Sequence, residues 1–125
     1  MIGIVICHKS LAFELLNTVD AIIGHHKDLY AFSNEKYSSQ DLVTLINSFL
    51  DSVENSEEVI FMVDLRGGNC WSVAKMIAHT RPRTAVLSGV NLPVLLSFLI
   101  KKEKLPFYDL IRTLENDAHR GVILE

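Results

Sequence analysis

Short apolar runs alternate with stretches of helical periodicity four times along this 125-residue chain. Ile2–Cys7 and Val59–Val63 are continuous apolar runs, as expected for strands that are buried on both faces of a sheet. Leu29–Ser33 and Thr84–Ser88 are the other two predicted strands, and an amphipathic helical pattern follows each strand. This alternation is typical of an α/β fold with an open, mostly parallel sheet and helices on both faces.

We expect one domain that spans residues 1–125, because the chain has about the length of one domain and contains no linker. If successive crossovers are right-handed, the second strand lies on one side of the first, and the third and fourth lie on the other. This gives the strand order 2-1-3-4. The apolar segment 122–124 follows Gly121 and is expected to form a further strand at an edge, where its free backbone groups invite pairing with another subunit.

Charge and cysteine content exclude several classes of protein. The formal net charge is -3 and the longest basic run is Lys101-Lys102, so no surface for nucleic acid is predicted. The apolar runs are too short to cross a bilayer, and no basic region precedes Ile2 as it would in a signal peptide. Cys7 and Cys70 lie far apart and form no CxxC motif, which suits thiols in a reducing compartment. We therefore expect a cytoplasmic protein with protein or small-molecule partners.

His8 and Asp64, whose side chains can take part in catalysis, directly follow the first and third predicted strands. In the order 2-1-3-4 these strands are neighbours, and the crevice for a ligand opens where the strand order reverses. A carboxylate that accepts one ring N–H of an imidazole fixes the tautomer and leaves the other nitrogen free as a nucleophile. The pair predicts covalent chemistry on His8, which Asp64 orients.

The segment after Asp64 resembles an anion-binding turn. Gly67 and Gly68 allow the backbone to approach a ligand closely, and Asn69 is expected to cap the helix that follows. Free N–H groups at a helix start bind phosphate, so these three residues are predicted phosphate ligands.

Lys9 and Arg66 are further candidate phosphate ligands. An ammonium attracts an incoming phosphoryl group, and arginine forms forked hydrogen bonds to phosphate, although a solvated loop charge is an equal alternative for Arg66. Together these residues favour phosphoryl transfer through His8, and no bound cofactor is required.

A zinc site is an alternative use of the same crevice. Cys7, His8, Asp64 and Cys70 all carry atoms that bind zinc. No ligand pair among them has the usual short spacing, so no metal is expected. Cys7 is expected to point into the core instead.

Three separated motifs occupy residues 4–8 (IVICH), 62–68 (MVDLRGG) and 88–93 (SGVNLP), and the last is the most characteristic of them. On these motifs and the helix pattern, the chain resembles, over essentially its whole length, the IIA domain of the mannose family of sugar phosphotransferase systems. The resemblance implies that His8 takes phosphate from the carrier protein HPr and passes it to a IIB component, while Asp64 orients His8. It also implies membrane IIC and IID components as indirect partners, and a homodimer that exchanges its last strand, around residues 122–124.

The chain departs from the family pattern beside the histidine and after the two glycines. Cys7 and Lys9 stand where the family usually has serine or threonine and glycine, and residues 69–71 read Asn-Cys-Trp where Ser-Pro-Phe is usual. These departures leave open a non-catalytic regulatory module of the same fold. A second alternative is a phosphoryl donor module for a dihydroxyacetone kinase, a similar domain that would use His8 and Asp64 in the same way. Neighbouring genes would separate this second alternative from sugar uptake. The transported sugar is not encoded in this chain.

Overall fold

A single four-stranded parallel sheet organises the protein, and the computed structural model describes residues 1–125. The strands are β1 (Ile2–Cys7), β2 (Leu29–Ser33), β3 (Val59–Val63) and β4 (Thr84–Ser88). Their order is β2-β1-β3-β4, which confirms the predicted arrangement.

Five helices connect and cover the strands. They are α1 (Leu11–Ile23), α2 (Ser39–Ser52), α3 (Asn69–Thr80), α4 (Leu92–Lys101) and α5 (Phe107–Arg120). Two predicted caps are confirmed: the Ser38 hydroxyl accepts the Asp41 N–H at 3.1 Å, and the Asn91 side chain accepts the Val94 N–H at 3.0 Å. Each bond satisfies an N–H group that the first helical turn leaves unpaired.

The two central strands separate two apolar cores. Alternate residues of β1 point to opposite faces, so Val5 and Cys7 pack with α1, α4 and α5, whereas Ile4 and Ile6 pack with α2 and α3. Cys7 is fully buried, as predicted. Gly3 is required for this packing, because a Cβ there would lie 2.8 Å from the Leu29 side chain. The double-sided burial holds the carboxyl ends of β1 and β3 firmly in register.

The C-terminal segment forms no strand within the single chain. Val122, Ile123 and Leu124 are 84%, 73% and 100% exposed, and α5 ends just before them. The Val122 N–H donates to the His119 carbonyl at 3.2 Å at the end of α5, but the segment pairs with no strand of the sheet, so the exchange between subunits stays a prediction. No helix has both the length and the apolar character needed to span a membrane.

Candidate active site

His8 and Asp64 meet because their strands are neighbours in register. Ile6 pairs with Val63 across β1 and β3, so the residues that follow both strands leave the sheet at the same edge. The predicted proximity of the two side chains is therefore confirmed in the structure.

The Asp64 carboxylate is held by three hydrogen bonds. Its Oδ2 accepts the backbone N–H of His8 at 2.8 Å and lies 2.8 Å from the Nδ1 of the same residue. Its Oδ1 accepts the backbone N–H of Leu65 at 2.9 Å. Because both oxygens are fixed, the carboxylate presents one orientation to the imidazole, and the ring nitrogen that faces it is Nδ1.

Exposure separates the roles of the two groups. The His8 side chain is 43% exposed, whereas that of Asp64 is 11% exposed. Burial opposes ionisation of Asp64, but the hydrogen bonds from the backbone and ring of His8 outweigh it and leave the pKa of Asp64 below its ordinary value. The carboxylate is thus charged at neutral pH, and a neutral His8 carries its proton on Nδ1. Its Nε2 then keeps its lone pair and is the ring nitrogen that is chemically able to act as a nucleophile.

Glycine occurs at positions 67 and 68 for two different structural reasons. Gly67 has a φ of +81°, a backbone conformation that favours glycine, whereas Gly68 has a φ of −80°. A Cβ on Gly68 would lie 3.5 Å from Cε1 of His8, so the backbone of this residue runs directly beside the imidazole.

The expected helix cap at Asn69 is wrong. Gly68 is the N-cap of α3, Asn69 is the first helical residue, and no side chain makes a capping bond there. The chain already turns into the helix at the glycine, which leaves the asparagine side chain outside the position from which a cap reaches back. The first N–H groups of α3 therefore lack a side-chain acceptor beside the His8 ring, as an anion site requires.

Lys9 and Arg66 are both exposed; along the chain, Lys9 directly follows His8 and Arg66 lies two residues after Asp64. Lys9 has a φ of +52°, so the residue that stands in place of the usual glycine adopts the left-handed conformation that glycine favours. Arg66 lines a groove of about 980 Å³ along β4, and His8 is not among the residues of this groove. Gly89 and Asn91, in the turn after β4, line the same groove.

The characteristic Gly-Val-Asn-Leu-Pro run has a structural role. The N–H groups of Gly89 and Val90 both donate to the carbonyl of Val63, at 2.9 and 3.0 Å. Asn91 caps α4, and its side-chain amide donates to the carbonyl of Ala118 in α5 at 2.9 Å. Through these hydrogen bonds the run connects the end of β3, immediately before Asp64, to α4 and α5.

Cys70, which the sequence suggested only as a ligand in the alternative zinc site, lies beside His8 in the structure. Its Sγ lies 4.0 Å from His8 Nδ1, and it is fully buried in the first turn of α3. Burial, with a contribution from the Asp64 charge, raises the pKa of Cys70 to about 11 and that of Cys7 to about 12. Both thiols are therefore protonated at neutral pH. No local signal places a residue six positions after Asp64 beside His8, since the path of the turn decides it.

Comparison with known proteins identifies the family. The sequence model described as "PTS system fructose IIA component" matches residues 3–115. The fructose-specific EIIA component of the phosphotransferase system of Bacillus subtilis is 30% identical over 92% of this chain and 80% of its own length. The mannose-specific EIIAB component of Escherichia coli K12 is 26% identical over 82% of this chain, which spans 32% of that longer protein.

A solved structure has the same fold. The crystal structure of a phosphotransferase system component EIIA from Streptococcus agalactiae superposes with a TM-score of 0.90, at 21% identity, over 98% of this chain and 95% of that one. The chain belongs to the mannose-type IIA family of the sugar phosphotransferase system, whose members transfer phosphoryl groups.

Proposed function

We propose that His8 is the phosphoryl carrier of this protein, that it accepts the group from phospho-HPr on Nε2, and that it delivers the group to a IIB component for sugar uptake. The observation that carries the proposal is the 2.8 Å contact between His8 Nδ1 and Asp64, on an imidazole that is 43% exposed. The contact directs one nitrogen inward and leaves the other for a partner protein.

In the transfer, the Nε2 lone pair forms a new bond to phosphorus while the bond from phosphorus to the donor histidine breaks. The ring becomes positively charged as this bond forms, and the buried Asp64 carboxylate stabilises that charge. The start of α3 lies beside the ring at Gly68, and in this proposal the N–H groups around Gly68 and Asn69 bind the phosphoryl oxygens, with Gly67 allowing the turn. Lys9 and Arg66 add positive charge at the rim, which attracts the donor protein's phosphoryl group.

The open edge of β4 supports a homodimer. β4 pairs only with β3, and Val122 of the exposed tail already lines the groove beside it. The tail of a second copy would supply the missing backbone partners, so residues 122–124 of each subunit would extend the sheet of the other. A chain that ends at Gly121 is expected to sediment as a monomer, whereas one that lacks only Glu125 should sediment as a dimer.

The transfer itself is tested by incubation with phosphoenolpyruvate, enzyme I and HPr at the near-neutral pH of a cytoplasm. The intact mass of the protein is then measured. The wild-type protein and a His25→Ala control are expected to gain one acid-labile phosphoryl group, and His8→Ala none. His25 is an exposed turn residue outside the site, so it controls for the loss of an imidazole. Phosphorylation of the His8→Ala protein would overturn the proposal. A second incubation with a IIB component then measures whether the group leaves His8.

A further inference from the structure

Three side chains that carry different kinds of metal ligand meet at the carboxyl edge of the sheet. The ligand atoms of His8, Asp64 and Cys70 all lie within 4.8 Å of one another. We propose that these three residues form an inhibitory binding site for a thiophilic divalent cation, of which Zn²⁺ fits best.

The separations suit a small cation. Zinc binds nitrogen and oxygen at about 2.0–2.2 Å and sulfur at about 2.3 Å, so an ion between a nitrogen and a sulfur spans at most about 4.4 Å. His8 Nδ1 and Cys70 Sγ are 4.0 Å apart and fall within this span. Tetrahedral coordination places nitrogen and oxygen ligands about 3.4 Å apart, so Nδ1 and Asp64 Oδ2, which are 2.8 Å apart, need to separate by about 0.6 Å. Three protein ligands leave a fourth position for water.

The charges also balance. Cys70 is fully buried and its Sγ lies within 4.8 Å of an Asp64 carboxylate oxygen, so burial, and then the nearby negative charge, disfavour a thiolate there without a cation. A divalent cation between the two groups reverses the sign of that interaction and makes the thiolate favourable. One carboxylate, one thiolate and a neutral imidazole then neutralise the ion in a place where an unpaired charge is costly. Magnesium lacks affinity for sulfur, so it is not expected to bind.

Metal binding has a direct consequence for His8, which rests on the proposed phosphoryl transfer. The ion occupies Nδ1, so the proton on this nitrogen moves to Nε2, and the Cys70 thiol releases its own proton to solvent. The Nε2 lone pair, which would attack phosphorus, is then used for an N–H bond. Zinc therefore holds His8 in the tautomer that accepts no phosphoryl group.

The sequence analysis expected no metal, because no two of the candidate ligands have the usual short spacing along the sequence. The proposed site does not need such a pair. His8, Asp64 and Cys70 come from the ends of β1 and β3 and the first turn of α3, so only the fold brings them together. Cys7 lies on the opposite face of the sheet, in the core that contains α1, α4 and α5. It is a matched control, since it is a second buried thiol that the proposal does not use.

The experiment is a titration of the purified protein with Co²⁺, which reports thiolate ligation through a near-ultraviolet charge-transfer band, followed by displacement with Zn²⁺. The wild-type protein and Cys7→Ala are expected to show the band at one ion per chain, and Zn²⁺ should remove it. Cys70→Ser and Cys70→Ala should both lack the band while they keep the wild-type circular dichroism. A band that persists in either folded Cys70 variant, or that requires Cys7, would overturn the proposal.

The phosphorylation assay separates the inhibition from the transfer. The wild-type protein should accept phosphate from HPr in the presence of a chelator and lose this activity when Zn²⁺ saturates it, with loss of activity following displacement of the Co²⁺ band. Unchanged phosphorylation at saturation would contradict the inhibition. Absence of phosphorylation in chelator contradicts the proposed function alone, because the Co²⁺ titration measures the site without any transfer.

Discussion

Oδ2 of Asp64 contacts both the backbone N–H and the Nδ1 of His8, each at 2.8 Å. The same oxygen therefore fixes the start of the loop after β1 and the direction of the imidazole. One carboxylate oxygen of Asp64 thus both orients the His8 ring and positions the His8 backbone.

Replacement of Asp64 by asparagine tests the orienting role. The amide keeps one oxygen but carries no charge, so it neither holds the ring as firmly nor stabilises the positive charge that forms on it. We expect the rate of phosphorylation by phospho-HPr to fall about 10- to 100-fold. Rapid-quench intact-mass kinetics measure this rate, and Asp109→Asn, an exposed change in α5, is the control. Equal rates in the two variants would exclude the orienting role.

Lys9 tests the cost of a side chain in the left-handed region. Its φ of +52° is a conformation in which most side chains are strained by about 1–2 kcal/mol, part of which a glycine loses again through its greater freedom in the unfolded chain. Lys9→Gly is expected to raise the free energy of unfolding by about 0.5–1 kcal/mol. Urea denaturation measures the change. Lys9→Ala removes the ammonium but keeps the Cβ, so its free energy of unfolding should not rise above that of the wild-type protein.

The same pair of variants separates the backbone from the charge in catalysis. If the ammonium attracts the phosphoryl donor, Lys9→Gly and Lys9→Ala slow phosphorylation equally at low salt, and the difference from wild type shrinks as the ionic strength rises. A loss of rate that is confined to one variant, or independent of salt, would show that the lysine charge has no such role.

Gly67 and Gly68 are predicted to respond differently to alanine. Gly67 has a φ of +81°, so Gly67→Ala should lower the free energy of unfolding by about 1–2 kcal/mol. Gly68 has an ordinary φ, and its new Cβ would only contact the His8 ring at 3.5 Å, so Gly68→Ala should change stability far less. Chemical denaturation compares the two. Equal destabilisation would mean that steric contact, rather than backbone conformation, determines the need for glycine.

Asp117, which lies outside the candidate active site, is expected to make the free energy of unfolding depend on pH in the acid range. Hydrogen bonds from Lys101 and then Ser97 hold the pKa of Asp117 below its ordinary value of 3.8 and join α5 to α4. Because the pKa is lower in the folded state, this carboxylate contributes stability above pH 3.8, and the contribution is lost as the pH falls through the folded-state pKa. Asp117→Asn should therefore be less stable than wild type at neutral pH and converge with it in strong acid. Urea midpoints across this pH range measure the difference, and a constant difference would contradict it.

Most of the fold follows from local patterns. The bounds of all four strands and the caps at Ser38 and Asn91 are readable because apolar runs and capping residues act over a few neighbouring positions. The Asn69 cap is the instructive exception. An asparagine before a helix is a good cap in isolation, but here the glycine that precedes it already occupies the capping position.

By itself, the sequence determined the parallel α/β sheet, its order and the pairing of His8 with Asp64, since these depend on periodicity and on the handedness of crossovers. Only the tertiary structure decided that Nδ1 faces Asp64, that Cys70 lies 4.0 Å from this nitrogen, and that the tail is left unpaired within one chain. These features depend on the direction of side chains across different elements. That direction is set by how the helices pack on the sheet, and no repeat along the chain records it.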